Sequence, residues 1–196
     1  MKKILTAIIL TLCYSFSFGQ TEWTIDKNHS SIRFSATHLL ISEVVGKFND
    51  FEGTIASTND DFSGSTISFS AKTASIDTDN DSRDNHLKSG DFFNAEKYPE
   101  LKFTGKIVKE GDKYFLAGKF TMVETTKEVK FDVKYMGQIP TKRGRKAGFK
   151  VTGTLNRFDY GLKWDRAVET GGLVVGEDIE ITCNLEIKEV ITEEGE

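Results

Sequence analysis

Apolar and polar residues alternate through most of this chain, and the alternation limits its fold more than any other feature. In "EVKFDVKYM", Phe131 and Val133 lie on one side and Lys130 and Asp132 on the other. A period of two residues is typical of a β-strand with one buried face. The pattern recurs in "SIRFSATHL", "STISFSAKT", "LKFTGKIVK", "YFLAGKFTM", "AGFKVTGTL" and "DIEITCNLEIK". With a short strand at 23–26, the sequence predicts eight or nine antiparallel strands.

The predicted strands share one hydrophobic interior, because each has a single apolar face and a polar face for water. A closed barrel fits a chain of this length and also removes unpaired strand edges. A sandwich of two sheets is the structural alternative. Between residues 44 and 55 the alternation is interrupted, because Phe48 and Phe51 are three residues apart. This spacing predicts a bulge near Asn49–Asp50.

The stretch from Asp81 to Phe103 breaks the strand pattern and predicts a short helical insertion around residues 81–98. Asp81 is placed to cap a helix, and Gly90 is placed to end it. Pro99 then leads into the next strand. The sequence therefore predicts an all-β fold, a single antiparallel barrel of eight or slightly more strands with this insertion.

The first 19 residues have the layout of a secretory signal peptide, with Lys2 and Lys3 before an apolar run from Ile4 to about Leu12. That run is too short to span a bilayer. Cys13 offers a lipoprotein alternative, but Leu12 before it is too large for the corresponding cleavage. We therefore expect a signal peptide at 1–19, a barrel at 20–190 and an acidic flexible tail at 191–196. The expected location is periplasmic or secreted.

The charge balance disfavours a nucleic-acid-binding protein, and the cysteine count rules out an intramolecular disulfide. The chain has 26 Lys and Arg against 30 Asp and Glu, and loss of Lys2 and Lys3 takes the net charge from −4 to about −6. A nucleic-acid partner would require a basic face, so none is expected. Because Cys13 leaves with the signal peptide, Cys183 stays alone and no intramolecular disulfide can form.

The sequence does not predict an enzyme, because no nucleophile, base or metal set has the required spacing. Its three histidines are dispersed, and a three-histidine site assembled from distant positions is the remaining alternative. Cys183 alternates with Ile181 and Leu185, which indicates a small packing residue. The acidic cluster at 77–84 fits no twelve-residue calcium loop and is interpreted as a solvated loop. No metal and no cofactor are expected, apart from a bound lipid.

Three features leave alternatives open. Gly105, Gly118 and Gly153 fall on inward faces, where they allow either close packing of a phenylalanine ring or room for a ligand. His38 is either a core histidine or a polar contact at a cavity mouth. The basic run Lys142–Lys146 is either a solvated hairpin tip or a contact for an anionic surface. An eight-stranded barrel can be solid or can hold one small ligand, and the pattern does not decide between them.

Several motifs occur in an order that resembles a known family. They include "WTIDKNHSSIRFSATHL", "GKFNDFEGTI", "ASIDTDNDSRDNHLKSGDFFNAEKYPELKFTG", "FKVTGTLNRFDYGL" and "VVGEDIEITCNLEI". Together they are similar to the YceI-like polyisoprenoid-binding proteins of bacteria over roughly Glu22 to Val190. The most specific pieces are Arg83-Asp84 with His86-Leu87, Asp91-Phe92-Phe93 and Pro99. Val123-Glu124 departs from the family pattern, but at a hairpin.

The resemblance implies a lipocalin-like barrel whose apolar tunnel binds isoprenoid, quinone or fatty-acid derivatives without covalent chemistry. Such proteins are commonly periplasmic or secreted. The expected function is binding, sequestration or transport of such a lipid, and the alternatives are a solid-cored interaction or structural module and, less favoured, a lipid-modifying enzyme. A small-molecule lipid is the expected partner. A transient membrane-surface contact and a homodimer are left open.

The expected site has two parts. The Arg83–Phe93 segment is expected to cap or line one end, oriented by ion pairs or hydrogen bonds of Arg83 and Asp84. The head group or tunnel mouth is assigned to His38, Arg83, His86, Phe92 and Phe93. The tunnel lining is assigned to Phe34, Phe51, Ile67, Phe69, Phe103, Leu116, Phe120, Phe131, Val133, Phe149 and Leu155.

Overall fold

A computed structural model describes residues 19–167 and 173–191, which form a closed antiparallel barrel of eight strands with one short α-helix. The predicted all-β barrel is therefore confirmed. Most of the predicted signal peptide and acidic tail lies outside the described residues. The elements are β1 (Thr21–Ile25), β2 (Ser31–His38), β3 (Ser42–Phe48), β4 (Phe51–Ser57), β5 (Thr66–Lys72), β6 (Ile76–Asp77), α1 (Asp81–Lys88), β7 (Glu100–Glu110), β8 (Lys113–Met122), β9 (Thr125–Thr141), β10 (Gly144–Asn156) and β11 (Val175–Glu189).

The barrel closes through β11, which pairs with three neighbours. The ring runs β1-β4-β5-β7-β8-β9-β10-β11, and the last part of β11 pairs back to β1, with Ile187 opposite Ile25. The first part of β11 pairs instead with β2, where Ile181 lies opposite Phe34. Strands β2, β3 and β6 thus continue the wall beyond the ring at one end.

Burial follows the alternation that predicted the strands. In β7, Leu101 and Phe103 are buried while Lys102 and Thr104 are exposed. Each strand therefore contributes one hydrophobic face to a shared interior, and the polar face meets water.

Three breaks interrupt the strands on one side of the wall. A 3-10 turn at Lys27–His29 separates β1 from β2, Asn49 and Asp50 separate β3 from β4, and a 3-10 turn at Thr73–Ser75 separates β5 from β6. Two of the breaks are joined, because Asn49 donates its backbone N–H to the Ser75 carbonyl at 3.1 Å and Asp50 donates to the Ser75 hydroxyl at 3.0 Å. The irregularity predicted near Asn49–Asp50 is thus present.

Helix α1 is held in place by side-chain hydrogen bonds and by Leu87, which packs against the hydrophobic core. Its cap is Asn80, whose side chain accepts the Arg83 N–H at 2.9 Å, so the expectation that Asp81 caps the helix was wrong by one residue. Asp84 is buried and accepts hydrogen bonds from the backbone N–H and the hydroxyl of Thr78. The helix ends at Lys88, before Gly90.

One end of the barrel, which we call the closed end, is filled by Phe62 in the loop between β4 and β5. The side chain is 1% exposed and its ring contacts those of Trp23, Phe149 and Tyr135, with centroids 5.0, 5.1 and 5.6 Å away. Phe62 has φ +59°, a left-handed conformation that costs a non-glycine residue roughly 1–2 kcal/mol. Burial of the aromatic ring offsets this cost. The β9–β10 turn lies at the same end.

Candidate ligand-binding cavity

A cavity of about 380 Å³ occupies the interior of the barrel, within the size range of ligand pockets. Its lining is almost entirely aliphatic and aromatic. The exposed or half-exposed lining residues include His38 at the end of β2, Val175 at the start of β11 and His86 in α1. We call the end of the barrel formed by these three elements the mouth; it lies opposite the closed end.

The structure brings ten of the eleven expected wall residues together around the cavity. Phe51 is the exception, because it is buried in the hydrophobic core without lining the cavity. It opens β4 directly after the break in the wall. The role of these side chains as ligand contacts stays a prediction. The ten lining residues are Phe34, Ile67, Phe69, Phe103, Leu116, Phe120, Phe131, Val133, Phe149 and Leu155.

Inward-facing residues that keep accessible surface show that the interior is hollow. Ile181, Cys183 and Leu185 of β11 and Val133 of β9 are only partly buried, although each packs against the hydrophobic core. In a solid core at native packing density such side chains would be fully covered. Their free surface lies along the cavity that they line.

The inward glycines are explained by close packing. A Cβ added at Gly153 would lie 2.1 Å from Cδ1 of Phe131, so the Phe131 ring occupies the place of a side chain. Gly105 and Gly118 lie opposite each other in β7 and β8, and a Cβ on Gly105 would lie 2.6 Å from Cζ of Phe103 and 2.9 Å from Cα of Gly118. These contacts favour the packing interpretation over room for a ligand.

All five residues assigned to the mouth line the cavity. Phe93 is buried against Phe48, with ring centroids 6.2 Å apart, whereas Phe92 is half-buried. His86 is exposed, and its Nε2 lies 3.1 Å from Oδ2 of Asp91. Arg83 donates from Nε and Nη2 to the hydroxyl and carbonyl of Thr78, both at 2.7 Å.

Trp164 joins the mouth, although the sequence analysis did not select it. Its ring lies 5.2 Å from that of Phe92 and 5.4 Å from that of His86, and these two rings are 5.0 Å apart. The three rings form an aromatic cluster at the edge of the opening. Trp164 lies outside any strand, about 70 residues from its partners along the chain, so no local pattern pointed to it.

Arg157 is the second residue at the mouth that sequence reasoning missed. It is 2% exposed and lines the cavity. Its guanidinium donates to the carbonyls of Leu162 and Trp164 and to those of Val175 and Gly176, at 2.6 to 3.1 Å. It thereby ties the segment after β10 to the start of β11. Burial lowers the pKa of Arg157, but a guanidinium stays protonated at neutral pH.

We expect Cys183 to react very slowly with thiol reagents, because burial raises the pKa of its thiol to about 12. Only the thiolate is nucleophilic, so at pH 8 its alkylation by iodoacetamide should be about a thousandfold slower than in the denatured chain. Between pH 8 and pH 10 the rate should rise about tenfold per unit. Peptide mapping by mass spectrometry measures both rates. A rate that levels off near pH 9 would contradict this prediction.

The described residues contain one cluster with metal-ligand geometry, formed by Asp26, His29 and Glu186. Nζ of Lys146 lies there, 3.2 Å from Asp26 Oδ2 and 2.6 Å from Glu186 Oε1, so an internal cation already neutralises the two carboxylates. None of these residues lines the cavity. Within the acidic segment 77–84, the Asp79 backbone N–H and the Asn49 side chain lower the pKa of Asp77 to about 2.

The chain matches the YceI-like domain over residues 23–187. It belongs to the YceI-like family. A UPF0312 protein of Staphylococcus aureus (strain bovine RF122) is 38% identical to it over 168 residues, which cover 85% of this chain and 96% of that protein. The family resemblance that the motifs indicated is therefore confirmed.

Solved structures of the YceI-like family and similar folds superpose on the barrel. The Campylobacter jejuni YceI protein has a TM-score of 0.66 and 30% identity, covering 80% of this chain and 90% of its own. BcnA of Burkholderia cenocepacia has a TM-score of 0.70 and 18% identity, covering 83% and 98%. A polyisoprenoid binding domain from Saccharophagus degradans has a TM-score of 0.60 and 12% identity, covering 86% and 98%. The last two share the fold.

In the described part of the chain, no helix has the length and hydrophobicity needed to cross a bilayer.

Proposed function

We propose that this YceI-like protein binds an apolar, chain-like lipid in its barrel and does not convert it chemically. The observation that carries the proposal is the apolar cavity between a mouth and a closed end. An isoprenoid, quinone or fatty-acid chain would displace water from this wall. The burial of apolar surface would favour binding by about 25 cal/mol per Å². The polyisoprenoid-binding description of the Saccharophagus domain supports the same class of ligand.

The proposal includes export of the protein from the cytoplasm and carriage of the lipid by it. A signal peptide at residues 1–19 would place the barrel in the periplasm or outside the cell, where a free lipid needs a soluble carrier. Sequestration or transport is the role that we propose for a cavity that encloses the apolar chain. The solid-cored module is the competing function, and the partly exposed inward residues of β11 argue against it.

Native mass spectrometry of the purified protein tests the proposal directly. We expect a bound mass that organic extraction releases as a prenyl or acyl lipid, and that the delipidated protein regains on incubation with such lipids. A delipidated protein whose mass stays unchanged with polyprenyl lipids, quinones and fatty acids would favour the solid-cored module instead.

The turn between β2 and β3 is proposed as the contact with a membrane surface. Leu39, Leu40 and Ile41 form it beside the mouth, and Leu40 and Ile41 are 60% and 86% exposed. Leu39 and Leu40 have φ of +52° and +64°, conformations that bulky side chains rarely adopt. The basic run Lys142–Lys146 is less suited, because it lies at the closed end and its Arg145 pairs with Asp60 and Glu189.

We expect the double substitution Leu40→Asp with Ile41→Asp to reduce binding to neutral phosphatidylcholine vesicles by about tenfold or more, because two aliphatic side chains no longer enter the interface. Vesicle co-sedimentation measures it. The matched control is Met136→Asp with Ile139→Asp, since both residues are exposed on β9 away from the mouth. Equal losses in the two double variants would remove the turn from the proposal.

A further inference from the structure

The charged or titratable side chains that line the cavity, within residues 19–167 and 173–191, are basic apart from the thiol of Cys183. They are Arg33, Arg83 and Arg157, with His38 and His86, and no aspartate or glutamate is among them. Composition does not explain this bias, because the chain has more acidic than basic residues. Arg33 belongs to the outer face of β2 by alternation and is exposed. Of the three arginines, Arg83 and Arg157 remain, and both lie at the mouth.

Arg157 is a buried cation that makes no salt bridge with a described residue. It is 2% exposed, and the carboxylates of Asp165 and Glu177 are near enough to oppose part of the lowering of its pKa by burial, but neither lies within ion-pair distance of the guanidinium. Four carbonyl groups accept its hydrogen bonds. A guanidinium has five N–H groups, so one N–H on Nη2 has no acceptor among the described residues.

Arg83 also has unused hydrogen-bonding capacity. Nε and Nη2 bond to Thr78, while Nη1 has no acceptor among the groups that the structure places near it. The buried carboxylate next to it, Asp84, accepts from Thr78 instead. Asp91, in the segment after the helix, is exposed and hydrogen-bonded to His86.

Burial of an unpaired charge is unfavourable, and an opposite charge with good hydrogen-bond geometry offsets the cost. The aromatic cluster links the two arginines, because Arg157 holds the Trp164 carbonyl and the Trp164 ring packs on His86, one turn after Arg83. Both arginines line the cavity at the mouth, so we expect an anionic group that reaches the mouth from inside to find unused N–H donors there.

We propose that the cavity prefers single-chain lipids with an anionic head group, a carboxylate or a phosphate, over lipids with a neutral head group. This inference rests on the proposed lipid-binding function and names the head group that the function requires. The apolar chain lies along the barrel wall, and the acidic group lies at the mouth against Arg83 and Arg157. A neutral alcohol or quinone makes the same apolar contacts and offers no anionic acceptor to the unused N–H groups of the two guanidinium groups.

The test compares ligand pairs that differ only in the head group, using delipidated protein. The pairs are palmitate with hexadecanol, and geranylgeranyl phosphate with geranylgeraniol, and displacement of a fluorescent lipid probe gives each Kd. We expect the acidic member of each pair to bind at least about tenfold more tightly than the alcohol, because a hydrogen bond between a guanidinium and an anion is stronger than one to a neutral hydroxyl. If only one pair shows a preference, the acid of that pair, carboxylate or phosphate, is the head group that the site accepts. A preference in both pairs supports a site that accepts either acid.

Equal or tighter binding of the alcohols would overturn the inference and leave the lipid-binding function intact. Binding of none of the four ligands would overturn the function itself, so the two failures are distinguishable. In Arg83→Gln the preference for the acid over the matching alcohol should fall below about threefold. Lys150→Gln, an exposed cation on the outside of β10, is the matched control. An unchanged preference in a folded Arg83→Gln variant would overturn the role of Arg83.

Discussion

Replacement of Phe131 by aspartate is expected to unfold the barrel. Phe131 is 6% exposed, and its ring covers Gly153 in the neighbouring strand. Phe131→Asp removes this packing, which costs about 3–5 kcal/mol for a buried phenylalanine, and places an unpaired carboxylate among apolar side chains. The sum approaches the whole stability of a typical domain, about 5–15 kcal/mol. Thermal unfolding followed by circular dichroism measures the effect.

The control for this prediction is the adjacent residue. Lys130 is exposed on the outer face of β9, where its Nζ lies 2.8 Å from Glu110 Oε1 and 4.0 Å from the centre of the Phe115 ring. Lys130→Asp loses a surface ion pair and a cation–π contact, together worth about 1 kcal/mol. If the two variants were equally stable, the inward face of β9 would be assigned wrongly.

Replacement of Ile181 by tryptophan is expected to abolish lipid binding while the barrel stays folded. Ile181 lies between Gly153 and Phe34 across the sheet, lines the cavity and is only partly buried. In a hollow barrel the larger side chain enters empty space, so the Kd for a prenyl lipid should rise about a hundredfold or more because the apolar contact surface is lost. In a solid core the same change would overpack the interior and destabilise the fold by about 1–3 kcal/mol.

Thr182→Trp is the matched control, because Thr182 is the next residue and faces outward by alternation. It should leave the Kd within about twofold, since no contact with the cavity changes. Isothermal titration of the delipidated proteins, with melting curves for both variants, separates the outcomes. An Ile181→Trp variant that melts well below the control and binds lipid normally would contradict the hollow barrel.

The two-residue alternation was sufficient to predict the strands and most of the residues of the cavity wall. A two-residue period fixes which side chains share a face, so Phe34, Phe103 and Phe149 could be assigned to one interior before any contact was known. The spacing of Phe48 and Phe51 located a break in the wall for the same reason. Phe51 shows the limit of this reasoning. The alternation tells on which face of a strand a side chain lies, but not whether its position along the barrel brings it to the cavity.

The mouth could be predicted only in part. Its helix was recognisable because Arg83, His86 and Phe92 belong to a segment that breaks the alternation and carries the family motif. Arg157 and Trp164 were missed, because they belong to the connection after β10 and reach the mouth only when that connection packs onto β11. The motif "FKVTGTLNRFDYGL" contains Arg157 but does not show that this residue reaches the mouth, because its contacts with β11 join residues that are distant along the chain.

The sequence by itself determined an all-β fold with one apolar interior, because period-two alternation specifies the strand faces. It favoured a closed barrel over a two-sheet sandwich, because a closed sheet leaves no edge unpaired. The alternation left the interior undecided, because a face pattern is the same for a solid barrel and for a hollow one, and the family resemblance favoured a hollow core. Only the tertiary structure decided that question. The separation of opposite walls leaves a cavity of about 380 Å³, and the packing of Phe62 at one end leaves the mouth, with Arg83 and Arg157, at the other.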